Sequence, residues 1–273
     1  MINKVNTFFL GNFQNISGSN KHYFGFSELY NEKIFIKIFI KKELFESELF
    51  IISKLYFDRL IDYLIIDDKY YLILKYMKCF NITENSKKTL FNSGILLADF
   101  HKKLSLYSDS IQVKMQNNLC SKINNKFGEL DSNLKKHLIP FMNFIYIHSS
   151  EINDEYHNLP KTMIHGDFGY RNIKYYNNEL VLIDFERCHI NIQWYDFVKL
   201  FYREAKTINM KTAFLKGYKT KNELFIPSKL IQNTLIFDVA LGIYIYTSKY
   251  HDKKFCCMAN NMINDINNSI GLG

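Results

Sequence analysis

The sequence predicts an α+β fold of two lobes, a small strand-rich lobe over residues 1–77 and a larger, mainly helical lobe over residues 78–273. Three observations carry this. The first 77 residues contain short aromatic or β-branched runs bounded by turn residues. After Met77 the hydrophobic period changes from two to the helical spacing. Only the stretch from Met163 to Ile190 returns to short strands and loops. No internal repeat or low-complexity linker interrupts the chain.

Within the small lobe, Phe8–Phe13 and His22–Glu28 read as strands flanking the turn-forming cluster Ser17-Gly18-Ser19-Asn20. Ile34 to Ile40 is β-branched and aromatic on both faces, the pattern of a central strand covered on both sides. Phe45, Leu49, Ile52 and Tyr56 recur at helical spacing, so Glu43–Tyr56 reads as the one helix of this lobe. Ile61–Ile66 and Tyr70–Tyr76 read as strands joined by a tight Asp67-Asp68-Lys69 turn. In the large lobe, Ser93–Leu106 reads as a helix. Cys120–Ser150 reads as one or two helices broken near Pro140, and the chain from Tyr195 onward is mostly helical.

Composition excludes several classes. Apolar residues make up 47% and charged residues 23%, a folded composition. There is no run of 18 apolar residues, so no membrane span is expected; the best candidate, Leu235–Tyr246, is short and contains Asp238. The N-terminal residues lack the features of a secretory leader. Five cysteines without a CxxC pair fit buried thiols in a reducing, cytoplasmic compartment, and adjacent Cys256 and Cys257 alone lack the ligands of a zinc site. The net charge is +8, but the lysines lie in scattered doublets, so no nucleic-acid partner is expected.

The chemistry concentrates in Ile164-His165-Gly166-Asp167-Phe168-Gly169-Tyr170-Arg171-Asn172 and in Leu182-Ile183-Asp184-Phe185-Glu186. Phosphoryl transfer needs a carboxylate for the proton of the attacking hydroxyl, and oxygen ligands for Mg²⁺. Asp167 fits the first role; Asn172 and Asp184 fit the second. The five-residue gap from Asp167 to Asn172 equals that in the H-R-D-x-x-x-x-N loop of protein kinases. Either carboxylate alone reads more readily as a turn residue; the combination is what is specific. His165, between an apolar strand and Gly166, reads as a residue that orients the loop rather than a proton carrier.

An independent pair lies upstream. Lys37 sits in the middle of an apolar strand, where an unpaired cation is costly. Glu48 falls on the apolar face of the following helix, where a solvated Glu would not be placed. The two misplaced charges predict an ion pair suited to holding nucleotide phosphates. Lys37 on an edge strand could also snorkel out to solvent. Ser17, Gly18, Ser19 and Asn20 form the one candidate phosphate loop, and they read equally as a plain hairpin turn.

HGDFGYRN followed by LIDFE resembles the catalytic and metal-binding segments of the aminoglycoside phosphotransferase and choline kinase family, small-molecule kinases of protein-kinase-like fold. Lys37 and Glu48 look like that family's nucleotide-binding lysine and helix glutamate. Leu97-Ala98-Asp99-Phe100-His101 resembles a helix end of the family, and Trp194-Tyr195-Asp196-Phe197 resembles the segment whose aspartate braces the catalytic loop. The resemblance implies a five-stranded antiparallel sheet in the small lobe. It implies Asp167 as base, Asn172 and Asp184 as metal ligands, Lys37 and Glu48 at the nucleotide, and Lys75–Cys79 as a hinge meeting the adenine. ATP would be the donor, with GTP as alternative, with Mg²⁺ as cofactor and a small-molecule hydroxyl as acceptor, in a monomer or dimer. The competing expectations are a kinase of a protein or a lipopolysaccharide sugar, and a non-catalytic nucleotide-binding scaffold. Aminoglycoside kinases present acidic surface to a cationic drug, whereas this chain is basic.

Overall fold

The computed structural model describes residues 2–16, 22–107 and 118–271, which form two compact units. The first comprises Met1–Ile82 and Arg171–His189; the second comprises Thr83–Tyr170 and Ile190–Gly273.

The first unit is built on a five-stranded antiparallel sheet in the order β1-β2-β3-β5-β4. Its strands are β1 (Gly11–Asn15), β2 (His22–Ser27), β3 (Glu32–Phe39), β4 (Leu60–Ile66) and β5 (Lys69–Lys75). The β4–β5 turn places Asp67 and Asp68 at positive φ, as a two-residue hairpin turn requires. β3 is central, and both its faces are covered. Ile34, Ile36 and Ile38 pack with Val5, Phe9, Phe13 and Tyr23, while Phe39 meets Phe45 of helix α2 (Lys42–Leu55) at 5.9 Å between rings.

The cover over the first face comes from helix α1 (Ile2–Phe8), whose last residue lies where the strand over Phe8–Phe13 is expected to begin. Phe8 ends this helix, Leu10 turns the chain at φ 48°, and only then does β1 begin. A strand buried on both sides demands two covers, so the unit has two helices rather than one. The candidate phosphate loop, Ser17-Gly18-Ser19-Asn20, lies outside the described residues. A hairpin of β8 (Ile173–Tyr176) and β9 (Glu179–Leu182) also belongs to this unit, with the short β6 (Phe80–Asn81) paired to β8.

Among its described residues the second unit is helical apart from the paired strands β7 (Lys161–Ile164) and β10 (His189–Ile192). Its helices are α3 (Lys87–Ser105), α4 (Leu119–Gly128), α5 (Ser132–Ile147), α6 (Ser149–Asn158), α7 (Trp194–Arg203), α8 (Ile208–Lys219), α9 (Lys229–Tyr250) and α10 (Lys253–Ile270). The break expected near Pro140 falls instead at Glu129–Asp131, where the Asp131 side chain caps α5 by accepting from the amides of Asn133 and Leu134. Pro140 lies inside α5 on its exposed side, where water can satisfy the carbonyl that loses its helical partner.

α3 and α8 cross closely because each has glycine at the contact. A Cβ on Gly94 would stand 2.2 Å from the Phe214 carbonyl oxygen, and one on Gly217 1.9 Å from that of Phe91. This crossing brings His101 of α3 against Tyr218 of α8. α9 is, among the described residues, the one helix long and apolar enough to cross a membrane. Two thirds of that apolar stretch is buried within the fold, and it carries the fully buried Asp238.

Candidate active site

In the first unit, alternation along β3 turns Lys37 toward α2, and helical phase turns Glu48 inward. Both side chains are buried, and the Lys37 ammonium lies 2.5 Å from Glu48 Oε2. The same ammonium donates to Asp184 Oδ1 at 2.8 Å. Burial works first against the Lys37 charge, but the two carboxylates outweigh it and hold the ammonium above the ordinary lysine range. Glu48 is pushed up by burial against the pull of Lys37. One cation against two acids leaves this cluster with an excess negative charge.

Asp184 follows β9 with φ 68°, the left-handed region that a non-glycine residue enters only at a cost of about 1 kcal/mol or more. The backbone turn swings its carboxylate out of the hairpin; its side chain remains one-third exposed. Asn172, buried, ends the short 3-10 turn before β8. In the β8–β9 register Ile173 faces Leu182, and the Ile183 amide donates to the Asn172 carbonyl at 3.0 Å. Asn172 and Asp184 thus leave the same end of one hairpin from adjacent strands.

Their side chains offer hard oxygen donors. A pair of such donors matches the way Mg²⁺ is held, with few protein ligands and the remainder from phosphates and water. Among the described residues no group of three His, Cys, Asp or Glu side chains converges to hold a metal alone. The Asn172 and Asp184 pair would suit a cation that an anionic ligand also coordinates.

Opposite His22 in the sheet register is Lys37, and the His22 ring lies 5.5 Å from that of Phe35. Burial, then the Lys37 charge, lowers the His22 imidazole to about 4, against a smaller raising effect of Asp184.

In the second unit, β7 is buried and runs directly into His165-Gly166-Asp167. Gly166 takes φ 75°, so the chain reverses just before the carboxylate. Asp196, at the start of α7, fixes that turn. Its Oδ2 accepts from the His165 amide at 2.7 Å, and its Oδ1 from the Gly166 amide at 2.8 Å. His101 Nε2 donates to Oδ2 at 3.0 Å, and His101 Nδ1 shares a hydrogen bond with the Tyr218 hydroxyl at 2.7 Å. Burial alone would raise Asp196; His101 and the backbone donors outweigh it and hold the carboxyl below the usual range.

Asp167 is buried, and the ammonium of Lys199, one turn along α7 from Asp196, donates to its Oδ1 at 2.9 Å. On the far side of the loop, Glu204 accepts from the Tyr170 amide at 3.3 Å.

The structure brings together Lys37, Glu48 and Asp184 in one unit and places Asn172 beside Asp184 on the hairpin; Asp167 heads its own loop in the other unit. Sequence reasoning missed Lys199, whose spacing of three from Asp196 on α7 is the signal that would have found it. It noted His101 only as part of a resemblance, yet that residue is the inner anchor of the brace.

The fold is that of the kinase-like phosphotransferases. The model of the phosphotransferase enzyme family matches residues 127–227, a stretch containing Asp167, Asn172, Asp184, Asp196 and Lys199. Among solved structures, an apo thermostable mutant of aminoglycoside phosphotransferase APH(4)-Ia is similar, with TM-score 0.70 at 10% identity over 98% of this chain and 99% of that one. Choline kinase LicA from Streptococcus pneumoniae is similar with TM-score 0.65 at 13% identity, over 99% and 97% of the two chains. Amicoumacin kinase hAmiN, in complex with AMP-PNP, Ca²⁺ and Ami, is similar with TM-score 0.63 at 14% identity, over 94% and 88%. At these identities the likeness is one of fold. No curated protein sequence matches the chain.

Proposed function

We propose that this chain is an ATP-dependent phosphotransferase that moves the γ-phosphoryl group to a hydroxyl of a small molecule. The observation that carries the reading is the cluster of buried Lys37 and Glu48 with the part-exposed Asp184. Its three charges come from a strand, a helix and a distant hairpin, and a purely structural core gains little from so costly an arrangement. In this reading Lys37 binds the nucleotide phosphates and Glu48 keeps the ammonium in place. Asn172 and Asp184 would hold Mg²⁺, which when bound neutralises charge on the transferring phosphoryl group. Asp167 accepts the proton of the attacking hydroxyl, and the brace from Asp196 keeps its loop from drifting.

The test is label transfer from γ-labelled ATP with Mg²⁺ into a cell extract, separated by size, with Asp167→Asn as control. The expected result is label in a small molecule, reduced about 10²–10⁴-fold by the substitution, with nucleotide affinity held within a few-fold. Label only in macromolecules would shift the acceptor to a protein or a lipopolysaccharide sugar. Unimpaired transfer by Asp167→Asn would remove Asp167 from its role.

A further inference from the structure

Any hydroxyl that hydrogen-bonds Asp167 meets the Lys199 ammonium, because Lys199 lies 2.9 Å from the same carboxylate. More positive charge stands one turn back along α7, where the Lys122 ammonium lies 4.8 Å from the ring of Tyr195, four residues before Lys199. Lys122 and Lys126, one turn apart on α4, converge on Asp238 of α9 at 3.1 and 2.8 Å. Asp238 is fully buried, whereas each lysine side chain is about one-fifth exposed. Two ammonium charges against one carboxylate charge leave a surplus of positive charge at this pair. Lys126 spends two donors on Asp238, one on its carboxylate and one on its carbonyl, and an ammonium has three.

The surplus is felt within the cluster. Lys126 is held below the ordinary lysine range by burial first, and, against the pull of Asp238, by crowding from Lys122 and Lys199. The neighbouring phenols add no negative charge, since burial first and then the Asp238 charge push both Tyr156 and Tyr195 well above neutral pH. Glu204 is taken up with the Tyr170 amide and with Arg203.

We infer that the acceptor is a hydroxylated small molecule bearing an anionic group, a carboxylate or a phosphate, which Lys122, Lys126 and Lys199 bind. The inference rests on the phosphotransfer reading for where the reacting hydroxyl sits. A polycationic acceptor would meet the Lys199 ammonium at Asp167 and the two ammonium groups that share Asp238.

The test is calorimetric binding to the full chain of four sugars that share a ring but differ in charge: D-glucuronate, D-glucose 6-phosphate, D-glucose and D-glucosamine. At least one anionic sugar is expected to bind about tenfold or more tightly than glucose, with glucosamine weakest; which anion wins separates carboxylate from phosphate. Lys126→Gln is expected to erase most of that preference and Lys126→Arg to keep it, with thermal melts confirming that both variants fold. Equal binding of all four, tighter binding of glucosamine, binding of none, or an unchanged preference in Lys126→Gln would overturn the inference. Turnover is read separately: a preference for anions with no label transfer, from ATP or in the extract, would retire the phosphotransfer reading and leave the charge preference standing.

Discussion

The cluster around Lys37 and the brace around Asp196 both bury an acid, but they hold it differently. At Lys37 the partners are full charges, and one of the two acids, Asp184, is partly exposed while Glu48 is sealed in. At Asp196 the partners are the buried His165 amide, the part-buried Gly166 amide and a buried imidazole backed by a phenol. Asp184 can give up the ammonium for another cation without leaving Lys37 unpaired. Asp196 cannot turn without stranding three donors. An arrangement of charges with one loose member suits a site where ligands are exchanged; a closed set of hydrogen bonds suits a loop that must not move.

The largest effect should come from breaking the charged side of that contrast. Lys37→Met leaves Glu48 buried without its cation and, in the proposed reading, removes the group that binds phosphate. Turnover should fall about 10²–10³-fold, and urea denaturation should show a loss of about 3–5 kcal/mol. Glu48→Gln keeps the cation and its Asp184 partner, so its stability loss should be clearly smaller. Equal losses for the two variants would mean that Asp184 contributes nothing to the cluster.

Next in size is the titration of His22. Its folded-state value of about 4 lies below the ordinary 6.5, so the unfolded chain binds the proton more readily. The stability contribution is full above about pH 6.5 and is lost as pH falls toward 4, amounting to about 3 kcal/mol. His22→Gln should lack this slope in a series of urea melts across that window; a parallel slope in both proteins would place the titration elsewhere.

The smallest effect sharpens the other side. In Asp196→Asn one amide oxygen must serve the donors that two carboxylate oxygens now serve, at a cost of about 1–3 kcal/mol. Because Asp196 is held below its ordinary value, its contribution is present above about pH 3.9 and is lost as pH falls through the lower folded value. The variant should therefore lose less stability than the parent on acidification, and hydrogen exchange at His165 and Gly166 should quicken. Unchanged exchange at those amides would show that the loop is held without Asp196.

The two regions also differ in how far they could be read beforehand. Lys37 and Glu48 betray themselves because each breaks an apolar periodicity within about ten residues of the other, and period is a local property. Asp167, Asn172 and Asp184 are legible through spacing, since a single loop and hairpin carry all three. The brace is legible only in part: the resemblance of Trp194-Tyr195-Asp196-Phe197 marks Asp196 as the residue that steadies the loop, and the His165 and Gly166 amides do donate to it, but its backing by His101 and Tyr218 draws on two further helices that only the close α3–α8 crossing joins. Asp238 was visible as a charge in an apolar run, but its partners on α4 lie over a hundred residues away. α1 was missed because its aromatic end resembles a strand, and only the need to cover both faces of β3 explains it. The α5 break was misplaced because proline on an exposed helix face costs less than in a buried one.

Asp184 pays for its position with backbone strain, and that sets the direction in which this protein would drift under selection for heat resistance alone. Glycine at residue 184 would relax the φ of 68° and leave Lys37 and Glu48 as a balanced pair. Asp184→Gly lies one nucleotide change from either aspartate codon. A population propagated for folding without any demand on turnover should accumulate it early, and its loss from such a population marks the moment when the demand returns.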